Sequence, residues 1–317
     1  MSAVSIGVAG WSYDDWRDTV YRLPARRRQP TLFDDAPHGP STQAARAARY
    51  AEDPLAFLAG YVDMIEINSS FYRVPNPSVA ASWADRVANR PGFFFTAKLH
   101  RDFTHEGRRD DAELRRFLES LAPLTDAGRL QTILAQFRYD FDDQPSNRDR
   151  LRWIRRGIGS FCPVVAEVRH RSWQRAEALD FLRGEGLAVA ILDYPAAADS
   201  FDLRTAAGGE TAYLRLHGRN RQAWFSKEAG RDETYNYDYA DEEIDDIAAR
   251  CREQVVKHLT VVANNHYAGK AVSAAVRLKS ALEKRAVPVP PALLETYPDL
   301  RRISATEPSP RPHEESP

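Results

Sequence analysis

Glu66 and Asn68, Glu167 and Arg169, and Arg215 and His217 are three pairs of polar residues, each separated by one position. In an extended strand residues i and i+2 share a face, so each pair sends two polar side chains in one direction. Two carboxylates on separate strands are ordinary equipment for general acid and base work, which assigns proton transfer to Glu66 and Glu167 with His217 assisting. Lys98, Arg169 and Arg215 supply cations for phosphate or carboxylate, and arginine grips either in a bidentate manner. These residue types suit a hydrolase or lyase acting on a phosphate-bearing sugar or nucleotide-like substrate, with a small phosphorylated or anionic ligand as partner.

Trp11, Asn68, Tyr72, Lys98, His105, Gln136, Arg169, His170, Trp173, Asp193, Arg215, Asn264 and Asn265 complete the expected substrate-binding set, with Tyr13 beside Trp11. Of the eight histidines, His100, His105, His170, His217 and His266 fall close after strand-like runs. The same residues permit other readings. A non-catalytic module would hold a nucleotide or single-stranded nucleic acid, stacking it on Trp224, Phe225, Tyr235, Tyr237 and Tyr239 of the segment 218–239. Those aromatics equally suit packing a long loop onto the body of the protein. A divalent-metal-dependent phosphodiesterase or isomerase would use Glu167, Asp193, His217 and His266, ligand types that suit Zn or Mn. The nearby Lys and Arg oppose a cation, so no residue is assigned as a metal ligand and no obligatory cofactor is expected. The plainest alternative is that the charges neutralise one another as a structural ion network.

Something must bring these scattered residues together. Short β-branched or aromatic runs occur at Val4 to Ala9, Asp63 to Ile67, Phe93 to Lys98, Thr132 to Gln136, Val164 to Val168, Ala188 to Asp193, Ala212 to His217 and Leu259 to Ala263. Helical spacing fills most of the gaps, at Ala44 to Leu58, Pro77 to Ala88, Ala112 to Leu124, Asn147 to Ile158, Arg175 to Arg183, Asp241 to Lys257 and Gly269 to Lys284. Asp110 and Asp111 stand where an N-cap belongs. The crossover Tyr194 to Thr211 is weakly patterned. Alternating strands and helices with apolar strands predict a parallel sheet covered on both faces, and eight units predict closure into a (β/α)8 TIM-type barrel. An open doubly wound sheet is the rival, but Gly7-Val-Ala-Gly10-Trp11 lacks its glycine-rich phosphate turn. In a closed barrel the polar residues just enumerated gather at one mouth.

The expected organisation is one barrel domain over 1–285, with a mobile insertion at 22–41, followed by a Pro-rich disordered tail at 286–317. At 317 residues, 43% hydrophobic and 28% charged, the chain suits one large soluble domain, and its net charge of -1 exerts no global pull toward nucleic acid or an anionic membrane. No apolar run is long enough for a membrane span, and the first residues read as a strand rather than a leader. Cys162 and Cys251 lack paired spacing and read as reduced, buried fillers, which points to the cytoplasm.

Several segments resemble the domain of unknown function 72 family, also called YecE-like. They are Gly10-Trp11-Ser12-Tyr13, Glu66-Ile67-Asn68-Ser69-Ser70-Phe71-Tyr72-Arg73, Phe95-Thr96-Ala97-Lys98 with Thr104-His105, Glu167-Val168-Arg169-His170-Arg171-Ser172-Trp173, Leu214-Arg215-Leu216-His217-Gly218, and Asn264-Asn265 with Gly269. They span almost the whole chain in one order. The resemblance implies a TIM-type barrel and implies no agreed activity. After the fourth strand, family members read Gln-Leu-Pro-Pro and an aromatic, whereas this chain has Gln136-Phe137-Arg138-Tyr139-Asp140-Phe141, which brings a new charge to that loop.

Overall fold

The β-rich runs become eight parallel strands: β1 (Ala3–Ala9), β2 (Met64–Ile67), β3 (Phe94–Lys98), β4 (Leu130–Gln136), β5 (Val164–Glu167), β6 (Ala188–Asp193), β7 (Thr211–Leu216) and β8 (His258–Ala263). Each pairs with its sequence neighbours, and β8 returns to β1 with Val4 opposite Leu259 and Val8 opposite Ala263. That pairing closes the barrel and excludes the open sheet. The coordinates are a computed structural model describing residues 3–22, 53–195, 197–202, 210–226 and 228–305.

Helices α1 (Pro54–Leu58), α2 (Pro77–Arg86), α3 (Asp111–Asp126), α4 (Pro145–Ile158), α5 (Ala176–Gly184), α6 (Asp241–Glu253) and α7 (Lys270–Glu283) surround the strands. Their starts are chemically marked: Asp53, Asn76 and Asp110 accept backbone N–H bonds from Ala56, Ser78, and Ala112 with Glu113. Each such cap contributes about 1 kcal/mol. Apolar strand residues of one parity meet the helices in a large outer core. The other parity faces the axis, where Ala9, Met64, Phe94, Leu134, Val165, Ala190, Leu192, Tyr213 and Val262 fill the barrel. The inward side chains therefore form a packed plug, and only those at the C-terminal strand ends reach a mouth.

Residues 286–305 correct the start of the expected disordered tail. Val287, Val289, Leu293 and Leu300 are buried, and the chain forms α8 (Pro291–Thr296) and a 3-10 helix at Pro298–Ile303. Pro291 and Pro298 open helices here, a position where the missing N–H costs nothing, so these prolines are starts rather than breaks. Tyr297 Oη donates to Ala268 O at 2.7 Å, bracing the loop after β8. Residues 306–317 and 23–52, which include nearly all of the insertion and the start of the first expected helix, lie outside the described residues. Cys162 and Cys251 are buried in the outer core, where burial pushes both thiols up to about 12. No helix among the described residues is long and apolar enough to cross a membrane.

Candidate functional site at the barrel mouth

Strand parity turns Glu66, Lys98, Gln136, Glu167 and Arg215 inward above the apolar plug. Arg215 is fully buried and joins the two carboxylates, its Nη2 donating to Glu66 Oε1 and its Nη1 to Glu167 Oε2, both at 2.6 Å. Tyr213, two residues earlier on the same face, donates its hydroxyl to Glu66 Oε2 at 2.9 Å and meets Thr96 Oγ1 at 2.8 Å. The other Glu167 oxygen accepts from Gln136 Nε2 at 2.7 Å and from Arg169 Nη2 at 2.7 Å and Nε at 3.0 Å. Burial alone would raise Glu167, but Arg215 and Arg169 override it and hold the carboxyl well below its usual range. Neither carboxylate is exposed, so the network expected as the plain alternative exists and fixes both arginines.

His217 continues the β7 face. Asn264 Nδ2 lies 3.0 Å from His217 Nδ1, and with the amide as donor the ring proton sits on Nε2, which is 3.6 Å from Glu167 Oε1. Burial, with help from Arg215 and against Glu167, holds this imidazole at about 4, so it is neutral near pH 7. Trp224, Tyr235 and Tyr194 close around it at ring separations of 5.8, 6.1 and 6.4 Å. The loop returns over the barrel because Gly218 adopts φ +86°, where a Cβ would lie 2.6 Å from Tyr237 Cβ. Trp224 and Tyr235 are half-buried and wall the mouth, with the Arg169 guanidinium 5.7 Å from the Trp224 ring. Tyr13 stacks on His266 at 4.6 Å, and its hydroxyl oxygen accepts from Asn68 Nδ2 at 3.4 Å.

The opposite wall is cationic. Lys98 is half-buried, and its Nζ lies 4.6 Å from the centre of the Phe71 ring. Among the described residues Nζ makes no hydrogen bond and no ion pair. Burial first, then Arg215, lowers the ammonium to about 8, against the pull of Glu66 and Glu167. His105 packs its ring edge-on to Phe71 at 4.8 Å, and burial followed by Lys98 and Arg138 lowers it to about 4. Beyond it lies a cavity of about 290 Å³, walled by Thr104, His105, Arg138, Phe141 and Arg150 among others. Tyr72 stands exposed at this rim.

Several expected site residues are elsewhere. Trp173 is fully buried, donating to Phe141 O at 2.7 Å, and belongs to the core. Trp11 packs edge-on against Trp83 of α2 at 5.4 Å, outside the strands. His100 and His170 accept backbone N–H bonds from Asp102 and Ser172 and serve as helix caps. Asn265 anchors the long loop through Tyr237 O at 2.9 Å. Asp193 has the outward parity: Arg219, Tyr239 of the loop and Arg250 of α6 engage it at 2.7 to 2.9 Å. The four ligand types proposed for a metal therefore do not converge, and no three His, Cys, Asp or Glu of the described residues gather as a ligand set. Tyr213, Thr96 and Arg150 were missing from the expected site, although Tyr213 and Thr96 sit two residues before Arg215 and Lys98 and so share their faces, while Arg138 is the new charge of the loop after the fourth strand.

Residues 5–296 match the family model described as "Protein of unknown function DUF72". The chain is 26% identical over 238 residues to UPF0759 protein YunF of Bacillus subtilis (strain 168), covering 70% of this chain and 83% of that one. Among solved structures it is similar to a DUF72 family protein of Thermotoga maritima MSB8, at 28% identity and TM-score 0.68 over 89% of this chain and 99% of that one. A DUF72 family protein of Enterococcus faecalis V583 shares the fold at 21% identity and TM-score 0.69, over 88% and 95%. With motifs, closed barrel and family model in agreement along almost its whole length, the chain belongs to the DUF72 family.

Proposed function

We propose that the mouth binds a small phosphorylated compound, a sugar phosphate or a nucleotide-like molecule, and that the protein acts on it as a hydrolase or lyase. One observation carries this reading: three cations, Lys98, Arg169 and Arg215, face two carboxylates, and Lys98 is the one left without a counter-charge among the described residues. A surplus ammonium in a partly desolvated cleft attracts an anion more strongly than the same charge in water. Arg150 at the rim, which likewise has no ion pair among the described residues, extends that field. Trp224 and Tyr235 across the mouth offer a face to the ring of a sugar or base.

Glu66 and Glu167 are occupied by arginine, so in this reading they position the guanidinium groups, and proton transfer at the open face falls to Lys98 and His105. The test is thermal shift and calorimetric binding with inorganic phosphate, ribose 5-phosphate and AMP, against ribose and adenosine. Stabilisation by the phosphorylated members alone is expected, weakened about tenfold in Lys98→Met and in Arg150→Met. Equal response to ribose and ribose 5-phosphate would sink the proposal.

A further inference from the structure

We propose that Lys98 condenses with the carbonyl carbon of a phosphorylated aldehyde or ketone and forms an imine at the barrel mouth. This rests on the anion-binding reading, because the phosphate is what brings the carbonyl to the amine.

The lysine is set apart by its surroundings. Lys257 pairs with Glu210, Lys279 with Asp63, and Lys270 donates to Asn236 Oδ1. Lys98 Nζ rests on the Phe71 face, with no oxygen partner among the described residues to surrender before it attacks a carbon. The charged and titratable groups around it are Arg215, Arg169, Glu66 and Glu167 on the barrel floor and His105 across the Phe71 ring. Both carboxylates are hydrogen-bonded to Arg215 and to Tyr213, Gln136 or Arg169, and their pull on the ammonium is outweighed by burial and Arg215. A lysine that is desolvated beside other cations is the ordinary setting for amine nucleophiles. With the ammonium at about 8, about one Lys98 in ten is a free amine at pH 7, against about one in three thousand for a lysine at 10.5.

The cavity beside His105 supplies the place for the phosphate. Its 290 Å³ or so exceeds what a phosphate group needs; Arg138, Asp140 and Arg150 line it, and because Arg138 pairs with Asp140, Arg150 is the lining cation without an ion pair among the described residues. Arg150 holds Thr104 O at 3.2 Å through Nη1, while its buried Nε has no hydrogen-bond partner. His105 lines the cavity and packs on the same Phe71 ring as Lys98 Nζ, so in this proposal the carbon chain of the phosphorylated compound runs past His105 to the amine. The step balances without oxidant or reductant. The Nζ lone pair forms a bond to the carbonyl carbon, the two amine hydrogens leave with the carbonyl oxygen as water, and a C=N bond remains.

The experiment uses the full chain and pyridoxal 5′-phosphate, a phosphorylated aldehyde, followed by borohydride reduction and peptide mass mapping. Label is expected on Lys98 about 100-fold faster at pH 7 than on Lys257 or Lys279. It should be suppressed by inorganic phosphate and absent from Lys98→Arg, which keeps the charge. Thermal shift with inorganic phosphate on the same samples reads anion binding separately. Phosphate stabilisation with Lys98 unlabelled would overturn the imine alone. Lys98 labelled equally fast by unphosphorylated pyridoxal, without protection by phosphate, would retain a reactive lysine and overturn the phosphorylated substrate and the anion site with it.

Discussion

Glu167 ends β5 and Asp193 ends β6, two buried acids at the same end of neighbouring strands, yet they belong to different networks. Glu167 shares the inward parity of Val165 and joins Arg215, Arg169 and Gln136 at the mouth, whereas Asp193 follows the inward Leu192 and so points out. Around Asp193 the charges close on themselves: Arg219 reaches Asp193, Glu243 and Asp246, and Arg250 adds a second cation. The inner network instead ends with Lys98 left over. Adjacent strand ends of similar composition thus close into a balanced ion cluster in one case and into the proposed ligand site in the other, and strand parity together with the unbalanced charge tells them apart.

The largest expected effect of breaking this contrast is at Arg215. Arg215→Met leaves Glu66 and Glu167 buried without their shared cation, which costs about 4 kcal/mol. Urea denaturation should show that loss, and adding Glu66→Gln and Glu167→Gln to the variant should recover much of it. If the triple variant recovers nothing, the guanidinium acts through packing rather than charge.

The outer network should respond less. Asp193→Asn keeps the shape and part of the hydrogen bonding but removes the charge from two arginines, a loss of about 2 kcal/mol. Burial would raise this carboxyl, but Arg219 and then Tyr239 and Arg250 lower it below its ordinary value. A depressed carboxyl contributes stability that is present above the unfolded value near 4 and is lost as pH falls through the folded one. The variant should therefore be destabilised at pH 7 and converge on wild type in acid. A difference independent of pH from 7 down to about 2 would contradict the ionic account. Ligand binding at the mouth should not change, since Asp193 faces the other way.

The fold was legible because its signals are local and repeated. All eight strands were found to within a few residues, since four to seven apolar residues bounded by turn chemistry leave few alternatives. The inner ion network was legible in outline from the i, i+2 pairs, which state a shared face without knowledge of any partner. Parity also held the answer for Asp193, because Ala190 and Leu192 must face in if Asp193 faces out, but its arginines lie 26 and 57 positions away and no local pattern announces them. Trp173 and Trp11 failed for a different reason. A loop aromatic after a strand can fold up to the rim or down onto a helix, and neighbours remote in sequence, Phe141 and Trp83, decide which. The tail was misread through its prolines, which break helices inside but begin them at N1.

The smallest expected change in stability is at Lys98, and it sharpens the contrast most, because removing an ordinary buried charge destabilises while removing a surplus one does not. Lys98→Met keeps the apolar stem on Phe71 and deletes an ammonium that burial and Arg215 disfavour. A lysine lowered from 10.5 to about 8 opposes folding fully below about pH 8, and that penalty is relieved as pH rises through the ordinary lysine range. The variant should therefore melt at or slightly above the wild-type temperature at pH 7, within about 1 kcal/mol, and its advantage should shrink between pH 8 and 10. The comparison is made by thermal melts of both proteins across that range without phosphate. A loss of 3 kcal/mol or so at pH 7 would place Lys98 inside the structural network with Arg215, and the surplus charge that distinguishes the mouth from the Asp193 cluster would no longer exist.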